Sequence, residues 1–345
     1  MKNEKIIKKT ALYTLLALLI VFILFGCSPK VYNIPYIKQR TTTKYWQLPK
    51  ESKIAYTYLP AKGDSVKPYP VIYLHGGPGG YVYSKNIELL SNLADDGCNV
   101  YLYDQIGCGL SNRLENIKEY TAEKHKQDLE AIVKELNAVK VILIGQSWGG
   151  ALATLYTADN NEKVDRIIFT NPGEIMPQII KEPKNNFPDS LQLKAPSDLS
   201  AKSNKKALTV RGISVAIWAN FFGKKLASDY EADGYLTDLA TEFTKALVCD
   251  STKALKEEGG AGYYCNIRTN RSFGKLTDPR SKLQNNTIPI LLLKGQCDNI
   301  EWEYNEEYLN IYKNNQLIVI PNAGHQIFVE QPERYIEEIR KFLNQ

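Results

Sequence analysis

Histidine is scarce in this chain: among 345 residues there are three, His75, His125 and His325. Cysteine is little commoner at six, and no Cys-x-x-Cys or His-x-x-x-His spacing occurs. The usual zinc patterns are therefore missing, and neither a metal nor another cofactor is expected. No lysine follows the Gly76–Gly80 run in Walker spacing, which argues against a phosphate loop. Basic runs interleaved with aromatics are also lacking. Of the net charge of +5, three units sit in the first ten residues, where Lys2, Lys5, Lys8 and Lys9 face only Glu4. Nucleic acid is not an expected partner. The 43% hydrophobic content is that of a globular protein, not of a disordered or fibrous one.

Short apolar runs punctuate the chain at Val71–Leu74, Val100–Tyr103, Val141–Ile144, Arg166–Thr170, Ile288–Leu293 and Leu317–Ile320. Their length and lack of alternation mark strands buried on both faces. Between most of them lie helical patterns. Residues 122–136 place Leu129, Ile132, Val133 and Leu136 on one stripe, and residues 332–343 behave similarly. Strands separated by crossover helices imply an α/β fold with a mostly parallel sheet covered by helices on both faces. Residues 44–59 lack a helix and are expected to form an antiparallel hairpin leading into the sheet. The alternation lapses between about 171 and 286, so an inserted helical cap is expected there, over the carboxyl ends of the strands.

The N-terminus reads as a targeting segment. A lysine-rich start precedes the uncharged, mostly apolar run Ala11–Gly26, which is short for a membrane span. Leu24-Phe25-Gly26-Cys27-Ser28 follows and resembles a bacterial lipobox, which implies lipidation of Cys27 and cleavage before it. An uncleaved anchor helix is the alternative. Both place the protein in the cell envelope, on a membrane and outside the cytoplasm. The expected organisation is a signal segment 1–26, a lipid anchor and solvated tether 27–45, a core of 46–171 and 286–345, and a cap of 172–285. Beyond Cys27 five cysteines remain, so at least one thiol stays free. Cys249 and Cys265, close in sequence within the cap, are candidates for a bridge.

Gly145-Gln146-Ser147-Trp148-Gly149 follows a predicted strand directly, and a strained strand-to-helix turn lifts a serine hydroxyl clear of the backbone. Ser147 is thus the candidate nucleophile, provided that a base can take its proton. His325, just beyond the last strand, lies at the same sheet edge and is the candidate base. His125 sits among Glu123, Lys124, Lys126, Gln127 and Asp128 and is expected on a solvated surface. His75 is expected to shape the glycine loop it opens. Asp298, in the loop after residues 288–293, is the candidate acid that orients the imidazole. Its rival Asp104 reads better as part of a structural turn, and the order Ser147, Asp298, His325 is that of serine hydrolases built on such sheets. The backbone amides of Gly77 and Trp148 are the candidate oxyanion donors.

Three segments taken together, HGGPGG at 75–80, DQ-x-G-x-G-x-S at 104–111 and G-x-S-W-G-G at 145–150, resemble the alpha/beta-hydrolase fold and, within it, the proline iminopeptidase family of serine aminopeptidases. Gly295–Asp298 and Gly324-His325 match as well, so the resemblance covers about 50–172 and 286–345. It implies acyl-enzyme hydrolysis that releases N-terminal proline or another small residue from peptides, with cap glutamates binding the substrate amine. Two departures stand out: no glutamate accompanies Trp218, and Ile106 replaces the arginine usual after Gln105. Glu174, Glu231, Glu242, Glu257 and Glu258 are the available cap acids, each expected on a solvated surface. The alternatives are an esterase or amidase acting on small acyl compounds and a non-catalytic binding lipoprotein. Members of this fold with epoxide hydrolase or dehalogenase chemistry carry an aspartate where Ser147 stands.

Overall fold

The computed structural model describes residues 2–21, 26, 28–35, 37–63, 65–177, 187–194 and 209–345. Eight strands form one sheet: β1 (Thr43–Leu48), β2 (Ser52–Leu59), β3 (Val71–Leu74), β4 (Val100–Tyr103), β5 (Val141–Gln146), β6 (Val164–Thr170), β7 (Ile290–Gly295) and β8 (Asn315–Ile320). Their spatial order is β1-β2-β4-β3-β5-β6-β7-β8. β1 and β2 form the expected hairpin, β2 lies antiparallel on β4, and every pairing from β4 to β8 is parallel.

The apolar runs of the inner strands do not alternate with polar residues because both faces of the sheet are covered there; β8, expected to be buried as well, is only half-buried because it forms the edge of the sheet. On β7, Ile290 and Leu292 point into one core and Leu291 and Leu293 into the other; β3 divides Ile72 and Leu74 from Val71 and Tyr73 in the same way. After α1 (Lys2–Val21), one face carries α2 (Ser84–Asp95) and the other carries α3 (Ala122–Glu135) and α4 (Trp148–Asp159). α4 is buried nearly throughout, which suits a helix packed on the central strands β3, β5 and β6.

Between β6 and β7 stand α5 (Val210–Phe222), α6 (Asp229–Phe243), α7 (Tyr263–Phe273) and the short α8 (Arg280–Leu283). Parts of this expected cap, 178–186 and 195–208, lie outside the described residues. α9 (Trp302–Ile311), α10 (Ile327–Glu330) and α11 (Pro332–Leu343) complete the chain. Pro332 opens α11 where no amide partner is needed, and Tyr335, Ile336, Ile339 and Phe342 give it one apolar face against the α2 side of the sheet.

Two expectations need correction here. The stretch read as a solvated tether is packed on the cap: Tyr32 is buried against Tyr235, the amide of Lys30 donates to Glu231, and Gly259 meets the carbonyl of Pro35. Within it the side chains of Tyr32 and Ile37 meet Gly234 of α6 and Gly260 before α7. The cysteine pairing also differs, for Cys249 is bonded to Cys297, 48 residues away, with Cα atoms 5.4 Å apart. Sequence proximity misled because the loop after β7 meets the chain segment that follows α6. Cys265 instead faces Cys108, with the sulfurs 3.5 Å apart. Among the described residues no helix is long and apolar enough to cross a membrane. Cys27 lies outside the described residues.

Candidate active site

β5 ends and α4 begins around Ser147, whose φ of 54° and ψ of −121° are those of a strained turn. The turn is possible because its neighbours are glycines. A Cβ on Gly149 would lie 2.0 Å from the carbonyl oxygen of Leu74, and one on Gly145 2.6 Å from that of Gly149. The Ser147 amide donates to Thr170 O at 3.0 Å, and its carbonyl accepts from Gly150 and Gly173. Ser147 lines a cavity of about 360 Å³ together with Gly77, Glu257, Asn266 and His325. A volume of that size suits a small organic group or the end of a peptide.

His325 follows β8, and its Nδ1 lies 2.6 Å from Asp298 Oδ1. With Nδ1 donating to the carboxylate, Nε2 is left as the acceptor nitrogen. Burial alone would push the Asp298 carboxyl up, but the ammonium of Lys294 and the ring of His325 bring it below the usual carboxylate value. It is ionised at neutral pH. Lys294, buried at the end of β7, donates to Asp298 Oδ2 at 2.5 Å and to the carbonyl of Ile300 at 2.6 Å.

Asn171, directly after β6, ties these loops together. Its Oδ1 accepts from the Gly295 amide at 2.8 Å, and its Nδ2 donates to the carbonyls of Gly324 and His325 at 3.0 Å. On the far side of the histidine loop, the Glu330 carboxylate accepts the amides of Gly324, Cys249 and Asp250.

The two candidate oxyanion amides have no acceptor within the protein among the described residues. Trp148 N also opens α4, so the helix dipole favours negative charge there. Gln105 braces both sides: its side chain accepts from Trp148 Nε1 at 2.9 Å and donates to the carbonyl of His75, while its amide donates to His75 Nε2 at 3.0 Å. Burial holds His75 at about 4, hence neutral, with Nδ1 free to donate to Gly76 O at 2.8 Å. Asp104 is buried and accepts the amides of Val82 and Leu110, and no bond joins it to His325. It holds the turn together.

His125 is not on the surface. It is buried, with Nε2 3.0 Å from Thr269 Oγ1 and 3.6 Å from Cys265 Sγ, because α7 of the cap covers that side of α3. Of the five cap acids, only Glu257 lines the cavity, and it too is buried rather than solvated. Tyr81 donates to it at 2.8 Å and Tyr83 at 3.1 Å. Burial raises its carboxyl above the usual value, against the lowering effect of the two hydroxyls. Glu231 is instead consumed by a two-pronged pair with Arg211, and Glu258 by Arg40 and Ser84. Sequence reasoning passed over Lys294, Asn171 and Glu330. A lysine closing an otherwise apolar run was the one available signal.

The model of the alpha/beta hydrolase fold family matches residues 69–332. A proline iminopeptidase of Heyndrickxia coagulans is 28% identical over 80% of this chain and 90% of its own. One of Saccharolobus solfataricus is 24% identical over 80% and 84%. Among solved structures, an esterase from Exiguobacterium antarcticum superposes with a TM-score of 0.61 at 16% identity, covering 88% of this chain and 99% of that one. An epoxide hydrolase gives 0.59 at 18% identity, with 88% and 98% covered, so those likenesses speak to the fold alone. With this family match spanning most of the chain, and with the strand order and Ser147 turn described above, the protein belongs to the alpha/beta hydrolase fold family.

Proposed function

We propose that this protein is a serine aminopeptidase that releases an N-terminal proline or another small residue from peptides. Ser147 Oγ attacks the carbonyl of the first residue as His325 Nε2 takes its proton. Asp298 keeps the other ring nitrogen protonated and stabilises the imidazolium. The amides of Gly77 and Trp148 receive the developing oxyanion. His325 then returns the proton to the departing amine, and water hydrolyses the acyl-enzyme by the same route in reverse order. In this reading residues 46–171 and 286–345 form the catalytic core and 172–285 the cap that selects substrate.

Glu257 carries the choice of substrate. It is a buried carboxylate in the cavity of Ser147 and His325, and among the described residues no lysine or arginine pairs with it. A charge so placed gains from a cation brought by the ligand, and the free ammonium of a peptide N-terminus supplies one. The two iminopeptidase relatives support the same class. An esterase or amidase reading leaves Glu257 without a task. The test compares prolyl amides with a free and an acetylated amine, alongside simple esters. A free amine should be favoured by more than about tenfold, since an unpaired buried acid costs ~2–5 kcal/mol. Equal rates on both amides would move the assignment to the esterase reading.

We also propose attachment to the envelope through a lipid on Cys27. The apolar run before it supports this, as does the Cys249–Cys297 bond, which belongs in an oxidising compartment. Mass spectrometry of the protein from its native host should find Cys27 acylated at the mature N-terminus. Residues 1–26 still attached would overturn cleavage.

A further inference from the structure

Lys294 is the residue that packing least explains. Along β7, Ile290 and Leu292 fill the core on one side of the sheet, and Lys294 continues their side of the strand. A methionine or leucine would fill that space without taking an ammonium out of water, and replacing buried charges by apolar groups is often neutral or stabilising. Here Lys294 is 1% exposed, and its ammonium has two acceptors, the Oδ2 of Asp298 and the carbonyl of Ile300. Both belong to the loop that carries the triad acid. The other oxygen of that acid is occupied by His325 Nδ1.

We propose that Lys294 is a positioning residue for the Asp298–His325 pair: its ammonium locks the second carboxylate oxygen and makes the imidazolium of His325 a more willing proton donor. This rests on the reading of Ser147, Asp298 and His325 as the catalytic triad. The reason is charge. In a triad without such a cation, proton transfer from Ser147 to His325 carries the acid–base pair from one net negative charge to neutrality. With Lys294 present the trio goes from neutral to one net positive charge, which is less favourable for taking the proton and more favourable for giving it up. That trade suits an enzyme whose leaving group is an amine, because an amine must be protonated as it departs.

The groups that bear on the pair from each side can be named. Lys294 comes from β7 and Ser147 from the turn after β5. Glu257 faces the cavity from the cap, and Glu330 of α10 lies beneath Gly324 with its oxygens on three amides. Lys294 is the one cation among them. Removing it therefore makes the pair easier to protonate, whichever of Asp298 and His325 receives the proton.

The test is the pH dependence of inactivation by a fluorophosphonate, which reads the nucleophile and its base without regard to peptide specificity. In Lys294→Met and Lys294→Gln the acid limb should move to higher pH by about one unit. A plateau that falls while the limb stays where it is would reduce the lysine to a support for the 295–300 loop and overturn the proposal. Failure of both variants to fold would do the same. No labelling of the unchanged protein at any pH would instead overturn the triad itself.

Discussion

Behind His325, Asp298 has a histidine on one oxygen and a lysine on the other, whereas on the cap side of the cavity Glu257 has only two tyrosine hydroxyls. The core acid is held below the usual carboxylate value and the cap acid above it, although burial pushes both upward. The difference is whether the protein supplies the countercharge. Beside the core acid a cation is built in; on the reading proposed above, the place beside the cap acid is left for the ligand's.

The sharpest way to break this contrast is to neutralise the core acid. Asp298→Asn should lower turnover by about 10⁴-fold through loss of ring orientation and cation stabilisation, and Ser147→Ala should abolish both hydrolysis and fluorophosphonate labelling. Asp104→Asn serves as the control and should cost about 1–3 kcal/mol of stability while labelling proceeds. An inactive, folded Asp104 variant beside a near-normal Asp298 variant would reverse their roles.

Cutting the link between the two sides is the next largest perturbation. Cys249 lies on the cap side and Cys297 next to Asp298, so Cys297→Ser, or reduction, should cost about 2–4 kcal/mol in denaturant unfolding. A midpoint that does not move would show that the bridge adds nothing to the packing around it.

Glu257→Gln should lower kcat/KM for a free-amine prolyl amide by about 30-fold or more and leave simple esters nearly unchanged. A parallel loss on both would show that Glu257 supports the fold of the cavity and not its choice of substrate. The smallest effect expected of the same variant is on stability. The folded state holds a proton on Glu257 more tightly than the unfolded chain does, so ionising it costs stability as pH rises through the folded value. Glu257→Gln should thus unfold at higher temperature at neutral pH, with the gain vanishing below the unfolded carboxylate range. A gain that persists in acid would point to packing as its cause.

What could be read from the sequence was whatever depends on short-range pattern. Strands buried on both faces show as apolar runs, and Ser147 and Asp298 each stand just after one, while His325 follows the half-buried edge strand β8. Residues whose setting is made by a distant segment could not be read. The charged stretch around His125 looks solvated until α7 covers it. Glu257 sits in an acidic doublet before two glycines and acquires its meaning from Tyr81 and Tyr83, some 175 residues earlier. The residues after Cys27 looked like a free tether because the side chains that anchor them, Tyr32 and Ile37, form no periodic stripe. The end of β7 and the loop after it combine both cases: Asp298 was visible by position, Lys294 only as a lysine closing an apolar run, and the pairing of Cys297 only through its partner.

The packing of that N-terminal segment decides where the protein may be shortened. Cutting the chain back to Thr43, the first residue of the sheet, would strip Tyr32 from the ring of Tyr235, leave Arg211 and Glu231 without the backbone of Gly26 and Lys30, and uncover the turn at Gly259. A form trimmed by strand boundaries would keep the sheet and loosen the cap, while one begun at Ser28 would keep the contacts of Lys30, Tyr32 and Pro35 and lose the one that Gly26 makes with Arg211.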